Sequence, residues 1–461
     1  MSTVPGPSAT VEPAPARRCA FAVLRRVFER GAYADQALQA ECSQEDPRDR
    51  ALAMRLAYGA VQRRATLDHV IERLAERPAA RLDPPILAAL RLGLYELLYL
   101  AGAPDYAVVA DTVELAKANG RGGHGLVNAV LRRAAREGSD ALLGELAEQT
   151  PEQAAIMHSH PEWIARLWWE ELGAADARAL MAHDNEASEV ALRANTLRTD
   201  AATLAAELPV ASHEDGEIPE ALVLDGPFDM QASPLWRAGA FIAQSRAAML
   251  VGHTLAPGPG QRVLDLCAAP GGKSTHLAAL MEGEGEVVAV ERNPRRAGAL
   301  VRAARRLGAA NVRVEIADAA SPREEGAVFD RVLVDPPCSG LGTLQARADL
   351  RWRVTPEAVE EMALEQQRIL AAGAGALRPG GLLVYSTCTI SPTENERLIA
   401  AFLQSHPEFS IDDLAAERPR FAAGGSGRAG DRAAETRARC LLTLPHRDRT
   451  AGFFIARLRR S

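Results

Sequence analysis

The sequence predicts a multidomain protein, an all-α N-terminal domain followed by an α/β Rossmann-like domain, and three observations carry that prediction. Apolar residues recur at helical spacing from residue 16 to residue 137. Past residue 262, short apolar runs of strand character alternate with helical stretches, the pattern of a parallel sheet covered by helices. The first of those runs, Val263-Leu264-Asp265-Leu266, ends in Ala269-Pro270-Gly271-Gly272. Glycines there permit positive φ and close backbone approach to a ligand before a helix begins.

Residues 1–15 are rich in Pro, Ser and Ala and read as disordered. Residues 16–137 form the helical domain, 138–244 a linking segment, and 245–461 the α/β domain. In the helical domain Ala20, Val23, Leu24, Val27 and Phe28 share one helix face. The pattern returns at 51–62, 86–100 and 126–131, punctuated by Asp83-Pro84-Pro85 and by the glycines from Gly120 to Gly125. Arg17 to Glu137 carries 19 basic against 15 acidic residues, a local +4 in a chain of net charge −7. Four pairs, Arg17-Arg18, Arg25-Arg26, Arg63-Arg64 and Arg132-Arg133, are candidates to line phosphates, although paired arginines are more often a solvated helix face. The helical pattern continues to about residue 175, where Trp163, Trp168 and Trp169 fit core packing better than base stacking. A mixed α/β segment then opens at Val190–Asn195 and ends near Gln244.

In the α/β domain, Ser274 reads as the N-cap of the helix after the glycine turn. The turn is not a phosphate-binding P-loop, because Cys267 occupies the position where that motif needs glycine. A second strand, 286–291, ends on Glu291, at the distance past the turn where an acid can hold both ribose hydroxyls. A third covers 312–316, with Asp318 just beyond it. A fourth covers 329–335 and runs from Asp335 into Pro336-Pro337-Cys338-Ser339-Gly340, and a fifth, 381–387, ends on Cys388. Helices are expected at 294–307 and 356–377. Ligands in open α/β sheets bind at the carboxyl ends of strands, and each of these chemical residues stands at such an end. Lysine usage adds weight: of 53 basic residues only Lys117 and Lys273 are lysines, and Lys273 lies in the glycine turn, where a compact ammonium serves better than a planar fork.

Three motifs, C-A-A-P-G-G-K at 267–273, D-P-P-C-S-G at 335–340 and Y-S-T-C at 385–388, together resemble the RNA cytosine-5 methyltransferases, more specifically the bacterial 16S ribosomal RNA (RsmB/Sun) type. The resemblance covers nearly the whole chain from Ala16. It implies a class I methyltransferase domain with S-adenosylmethionine bound by Cys267, Ala268, Ala269, Pro270, Gly271, Gly272 and Lys273. It further implies Glu291 on the ribose, Asp318 near the adenine, and Asp335 at the cofactor and facing the reaction. Segments 57–61 and 126–132 resemble the NusB fold, a helical RNA-binding domain, which implies an RNA partner, here 16S ribosomal RNA. Residues 190–244 look like the family's small pre-catalytic subdomain. The chain departs from the family at Ser245 and Ala451, where aspartates are usual, which puts contacts from those positions in doubt.

The chemistry agrees with the motifs. C5 of cytosine is not nucleophilic until a nucleophile adds at C6, and a cysteine thiolate is suited to that addition. Cys338 and Cys388 both stand at strand ends. Ser391-Pro392-Thr393-Glu394 has the form of a capping box, so a helix is expected to begin just past Cys388 and favour its thiolate. The resemblance assigns Cys388 as nucleophile, Cys338 to product release and Asp335 to steadying the pyrimidine. Cys19, Cys42 and Cys440 read as structural, and His446 likewise. Residues 420–437 read as a mobile loop, and 441–444 with 452–458 as a closing strand pair.

Six cysteines with no C-x-x-C pair argue against a disulfide framework and a zinc site. No stretch approaches 18 apolar residues and the first 16 lack a signal core, so a cytoplasmic, monomeric protein without membrane contact or metal is expected. Two alternatives stand beside this reading. An amino-methyltransferase would end its D-P-P motif on an aromatic, where Cys338 stands. An RNA-binding scaffold would leave both cysteines without a task.

Overall fold

The computed structural model describes residues 12–120, 122–324, 326–424 and 431–461. Two compact units result, one reaching to Glu186 and taking in Arg347–Arg353, the other comprising Ala187–Ala346 and Val354–Ser461. Most of the segment expected to be disordered lies outside the described residues, and Pro15 already opens the first helix.

The first unit is helical. Its elements are α1 (Pro15–Arg30), α2 (Ala34–Cys42), α3 (Pro47–Gln62), α4 (Arg64–Ala75), α5 (Pro84–Tyr99), α6 (Asp105–Asn119) and α7 (His124–Glu137). Four shorter helices follow, α8 (Ser139–Gly144), α9 (Pro151–Met157), α10 (Glu162–Leu172) and α11 (Ala174–His183). Boundaries fall where local chemistry puts them. Pro47 and Pro84 sit in first turns, where a missing N–H costs nothing, and the Asp46 carboxylate accepts from the Arg48 N–H. Ala20, Val23 and Leu24 of α1 are buried, with Val27 and Phe28 packed at the edge of the same core. Trp168 is wholly buried in α10, as core packing requires.

One expectation for this unit needs correction, and most of the paired arginines have partners within it. Cys19 and Cys42 form a disulfide between α1 and α2, with Cα atoms 5.7 Å apart, because the turn between the helices folds them face to face. The arginine pairs are largely occupied within the unit. Arg17 is buried and holds Glu96 and Asp111, at 2.6 and 2.7 Å. Arg25 pairs with Glu29, Arg26 with Glu41 and Arg133 with Glu137. Arg63 lies over Tyr99, and Arg64 over Phe28 and Trp352. Arg132 remains exposed.

The second unit holds two sheets. The smaller is antiparallel, in order β2-β3-β1-β4, built from β1 (Ala191–Ala194), β2 (Ser212–Glu214), β3 (Ala221–Leu224) and β4 (Phe241–Ala243). Helices α12 (Ala201–Glu207) and α13 (Pro234–Arg237) lie between its strands in sequence, and α14 (Arg246–Leu255) leads out of it. The larger sheet takes β5 (Arg262–Leu266), β6 (Glu286–Val290), β7 (Val312–Glu315), β8 (Phe329–Val334) and β9 (Leu377–Thr387), all parallel. The strands β10 (Phe409–Ile411), β11 (Leu441–Thr443) and β12 (Phe453–Arg460) close it, β12 running antiparallel to β9. Its order is β10-β12-β9-β8-β5-β6-β7, with β11 on β12. The connecting helices are α15 (Gly272–Leu280), α16 (Pro294–Leu307), α17 (Pro356–Ala376) and α18 (Glu396–Ser405).

The order in which strands are added reverses at β5, which has β6 and then β7 on one side and β8 and then β9 on the other. That is a topological switch point, and the crevice beyond the strand ends there is where such sheets bind ligands. Part of the expected mobile loop is ordered differently: Arg432–Arg437 is a helix capped by Asp431, while residues 425–430 lie outside the described residues.

Candidate active site

The strand ends converge as their sequence positions require. Past β5, Cys267 takes φ +67° and Gly271 φ +103°, and α15 starts at Gly272. A Cβ at Gly271 would stand 2.9 Å from Leu300, so both conformation and space demand glycine. Ser274 is not the N-cap. Its hydroxyl donates to Asp265 Oδ2 at 2.6 Å, because β5 buries that carboxyl beneath the turn. Burial pushes Asp265 up to about 7.

On one flank of the switch point lies a cavity of about 350 Å³ beyond β6 and β7. Cys267, Glu291 and Asp318 line it, with Pro337, Met362 and Ile369 as an apolar wall. Glu291 is buried and accepts from the Asn293 N–H, while Asp318 is exposed and accepts from the Ala320 N–H. Burial pushes the Cys267 thiol up to about 12, which suits a wall and not a nucleophile. Ala268, Ala269, Pro270, Gly271, Gly272 and Lys273 are not in the cavity lining. They shape the turn beside it, with the Ala268 N–H bonded to Val290 O across the strand ends.

On the other flank Lys273 Nζ meets Asp335 Oδ2 at 2.8 Å, and the Ser386 hydroxyl donates to Asp335 Oδ1 at 2.8 Å. Burial alone would lower Lys273, but Asp335 outweighs it and holds the ammonium above its ordinary value. Cys338 and Cys388 lie with their Sγ atoms 3.4 Å apart. The hydrogen bond to Cys388, reinforced by burial, holds the Cys338 thiol well above its ordinary value, so Cys338 keeps its proton.

The capping box fails, and the reason is instructive. The helix after Cys388 begins only at Glu396, since the Glu394 carboxylate is spent elsewhere. It accepts from the Ser339 N–H, the Ser339 hydroxyl and Gln366 Nε2, bracing the loop that carries Cys338. Gln366 also donates to Pro337 O at 2.9 Å, and the Tyr385 hydroxyl donates to Glu394 O at 2.7 Å. The helix expected just past Cys388 therefore does not start there.

Sequence models of known families match this chain in three places: 16S rRNA methyltransferase RsmB/F at residues 252–459, the NusB family at 14–136, and the ferredoxin-like domain of RsmF/B-like methyltransferases at 160–231. A Synechocystis sp. protein named "Probable ribosomal RNA small subunit methyltransferase B" is 36% identical over 97% of this chain and 99% of its own. The Thermus thermophilus "Ribosomal RNA small subunit methyltransferase B" is also 36% identical, over 88% and 92%. The chain belongs to the 16S rRNA methyltransferase RsmB/F family. A crystal structure of a methyltransferase homologue from Pyrococcus horikoshii has TM-score 0.59 and 25% identity, covering 68% of this chain and all of that one.

Several site residues escaped the sequence reading. Arg193 of β1 is fully buried and donates to Gln244 Oε1 and to Gly272 O, both at 2.6 Å, and to Thr275 Oγ1. It ties the small sheet to the glycine turn, but in sequence it is one arginine among many. Ser245 retains a capping role, its Oγ accepting from the Ala248 N–H as the usual aspartate would. Ala451 packs against the core and its carbonyl accepts from Thr443, while the neighbouring Gly452 N–H donates to Gly342 O at 2.7 Å.

Among the described residues one cluster, Glu220, His253 and His276, has metal-ligating composition. Both ring Nε2 atoms already bond Glu220 Oε1, at 2.8 and 2.6 Å. His276 Nδ1 is buried without a partner, whereas a metal-bound ring needs an acceptor there, so the cluster reads as hydrogen bonding. No helix is long and apolar enough to cross a membrane among the described residues.

Proposed function

We propose that the chain transfers a methyl group from S-adenosylmethionine to C5 of a cytosine in 16S ribosomal RNA by covalent cysteine catalysis. The observation that carries this reading is the pair of thiols 3.4 Å apart beside the Lys273–Asp335 ion pair. The donor set fits the cofactor: Glu291 suits a ribose diol, Asp318 an adenine amine, and the apolar wall a purine face. The sulfonium supplies an electrophilic methyl group to the activated C5.

The remaining steps belong to the protein. The Cys388 thiolate adds to C6 and makes C5 enamine-like. Asp335, held by Lys273 on one oxygen and Ser386 on the other, steadies the pyrimidine. After transfer the C5 proton passes to the Cys338 sulfur, the Cys388–C6 bond breaks, and aromaticity returns. That step needs Cys338 as a thiolate, so the proton it holds at rest passes first to solvent; elimination then leaves Cys338 protonated and Cys388 a thiolate, as at the start. The NusB-family region supplies RNA affinity on this reading. The chain's place of action is then the cytoplasm.

Mapping 5-methylcytosine in the small-subunit ribosomal RNA of a deletion strain tests the proposal. One cytosine should lose its methyl group and regain it on complementation. An unchanged 5-methylcytosine map alongside a missing N-methyl base would replace this reading with the amino-methyltransferase one.

A further inference from the structure

The thiol pair has a second chemistry that methyl transfer does not use. Val334 of β8 pairs with Tyr385 of β9, and each chain reaches its cysteine within four residues of that pair. The Sγ atoms, 3.4 Å apart, need to close by roughly 1.4 Å to reach a bond of about 2.0 Å. The two loops are held together: Glu394 fixes Ser339, and the Gly342 N–H donates to Cys388 O at 3.0 Å. Both sulfur-bearing residues are only partly buried, so a small oxidant can reach them.

We propose that Cys338 and Cys388 form a reversible disulfide when the protein meets hydrogen peroxide, making the active site itself a modification site. The Cys388 thiolate attacks one peroxide oxygen, the O–O bond breaks, and hydroxide leaves, giving a sulfenic acid. Cys338 sulfur attacks the Cys388 sulfur, the S–S bond forms and the S–OH bond breaks. The thiol proton departs with the hydroxyl as water. Two thiols and one peroxide become one disulfide and two waters, with two electrons passing from the sulfurs to the O–O bond. A dithiol reductant reverses the change by exchange. Cys440 offers a contrast, since it is fully buried and donates to Thr436 O.

The test exposes the full-length protein to hydrogen peroxide, alkylates remaining thiols, and maps peptides by mass spectrometry, a readout independent of methyl transfer. The expected result is a cross-link between the Cys338 and Cys388 peptides, lighter by two hydrogens, from which dithiothreitol recovers both thiols. In Cys338→Ser, Cys388 should instead gain two oxygens as a sulfinic acid that dithiothreitol does not recover. Separate sulfinic acids at both cysteines of the unaltered protein would overturn the proposal. So would two intact thiols at a peroxide dose that oxidises Cys267.

Discussion

The two flanks of the switch point are built in opposite ways. On the β8–β9 flank, Cys338, Asp335 and Cys388 are braced from behind by Glu394, Gln366, Tyr385 and Ser386, and nearly every polar atom has a partner. On the β6–β7 flank, Glu291 and Asp318 border an open cavity, and Asp318 is exposed. On the proposed reading, the contrast separates two tasks. A flank that makes and breaks a covalent bond must hold its reacting atoms within a narrow geometry. One that binds and releases a small molecule needs room and a few directed acceptors.

The largest expected effect breaks one flank alone. Cys388→Ser should reduce methyl transfer to background, since a serine hydroxyl is hardly ionised at neutral pH, while cofactor affinity measured by calorimetry stays unchanged. A parallel loss of affinity would show that the flanks are not separate. Conversely, Asp318→Ala should weaken the cofactor dissociation constant by roughly 5- to 30-fold, about 1–2 kcal/mol for one hydrogen bond from an exposed group, with RNA affinity preserved. Unchanged calorimetric affinity in the folded variant would remove Asp318 from the site.

A smaller effect is expected behind the cysteines. Gln366→Leu leaves Pro337 O and the Glu394 carboxylate short of a donor, a destabilisation of about 1–3 kcal/mol read from denaturant unfolding. Turnover should fall with KM for the cofactor steady, and an equal rise in that KM would contradict the division of labour.

The smallest concerns Asp265, which lies under the turn between the flanks. Its folded value of about 7 exceeds the ordinary 3.8, so the folded state binds its proton more tightly. The stability it contributes is complete below the ordinary value and is lost as pH rises through about 7. Asp265→Asn should therefore lose less thermal stability than the unaltered protein between pH 4 and 7 (about the window those two values span). Identical slopes would mean that Asp265 titrates normally.

Much of this arrangement was legible in the sequence because the parallel strands are short apolar runs and the chemistry follows each run directly. The helix 294–307 is found at its expected bounds, and Glu291, Asp335 and Cys388 stand at the ends of their strands. Errors arose where a side chain with a strong local preference found a distant partner. Ser274 bonds Asp265 and Glu394 bonds Ser339, so neither caps a helix. Arg17 likewise holds Glu96 and Asp111, and counting charge along the chain cannot distinguish it from the exposed Arg132. Arg193 is invisible for the same reason. Burial, which changes what an arginine does, is a property of the fold.

The covalent account depends most on the order of the two cysteines. Attack on C6 precedes methyl transfer and elimination follows it, so losing the attacker prevents an adduct and losing the eliminating residue strands one. Cys338→Ser and Cys388→Ser should each be incubated with ribosomal RNA and cofactor and run on a denaturing gel. The account predicts a protein–RNA band that survives denaturation in Cys338→Ser and none in Cys388→Ser. The opposite pattern would reverse the roles, and full methylation by both variants would contradict covalent catalysis.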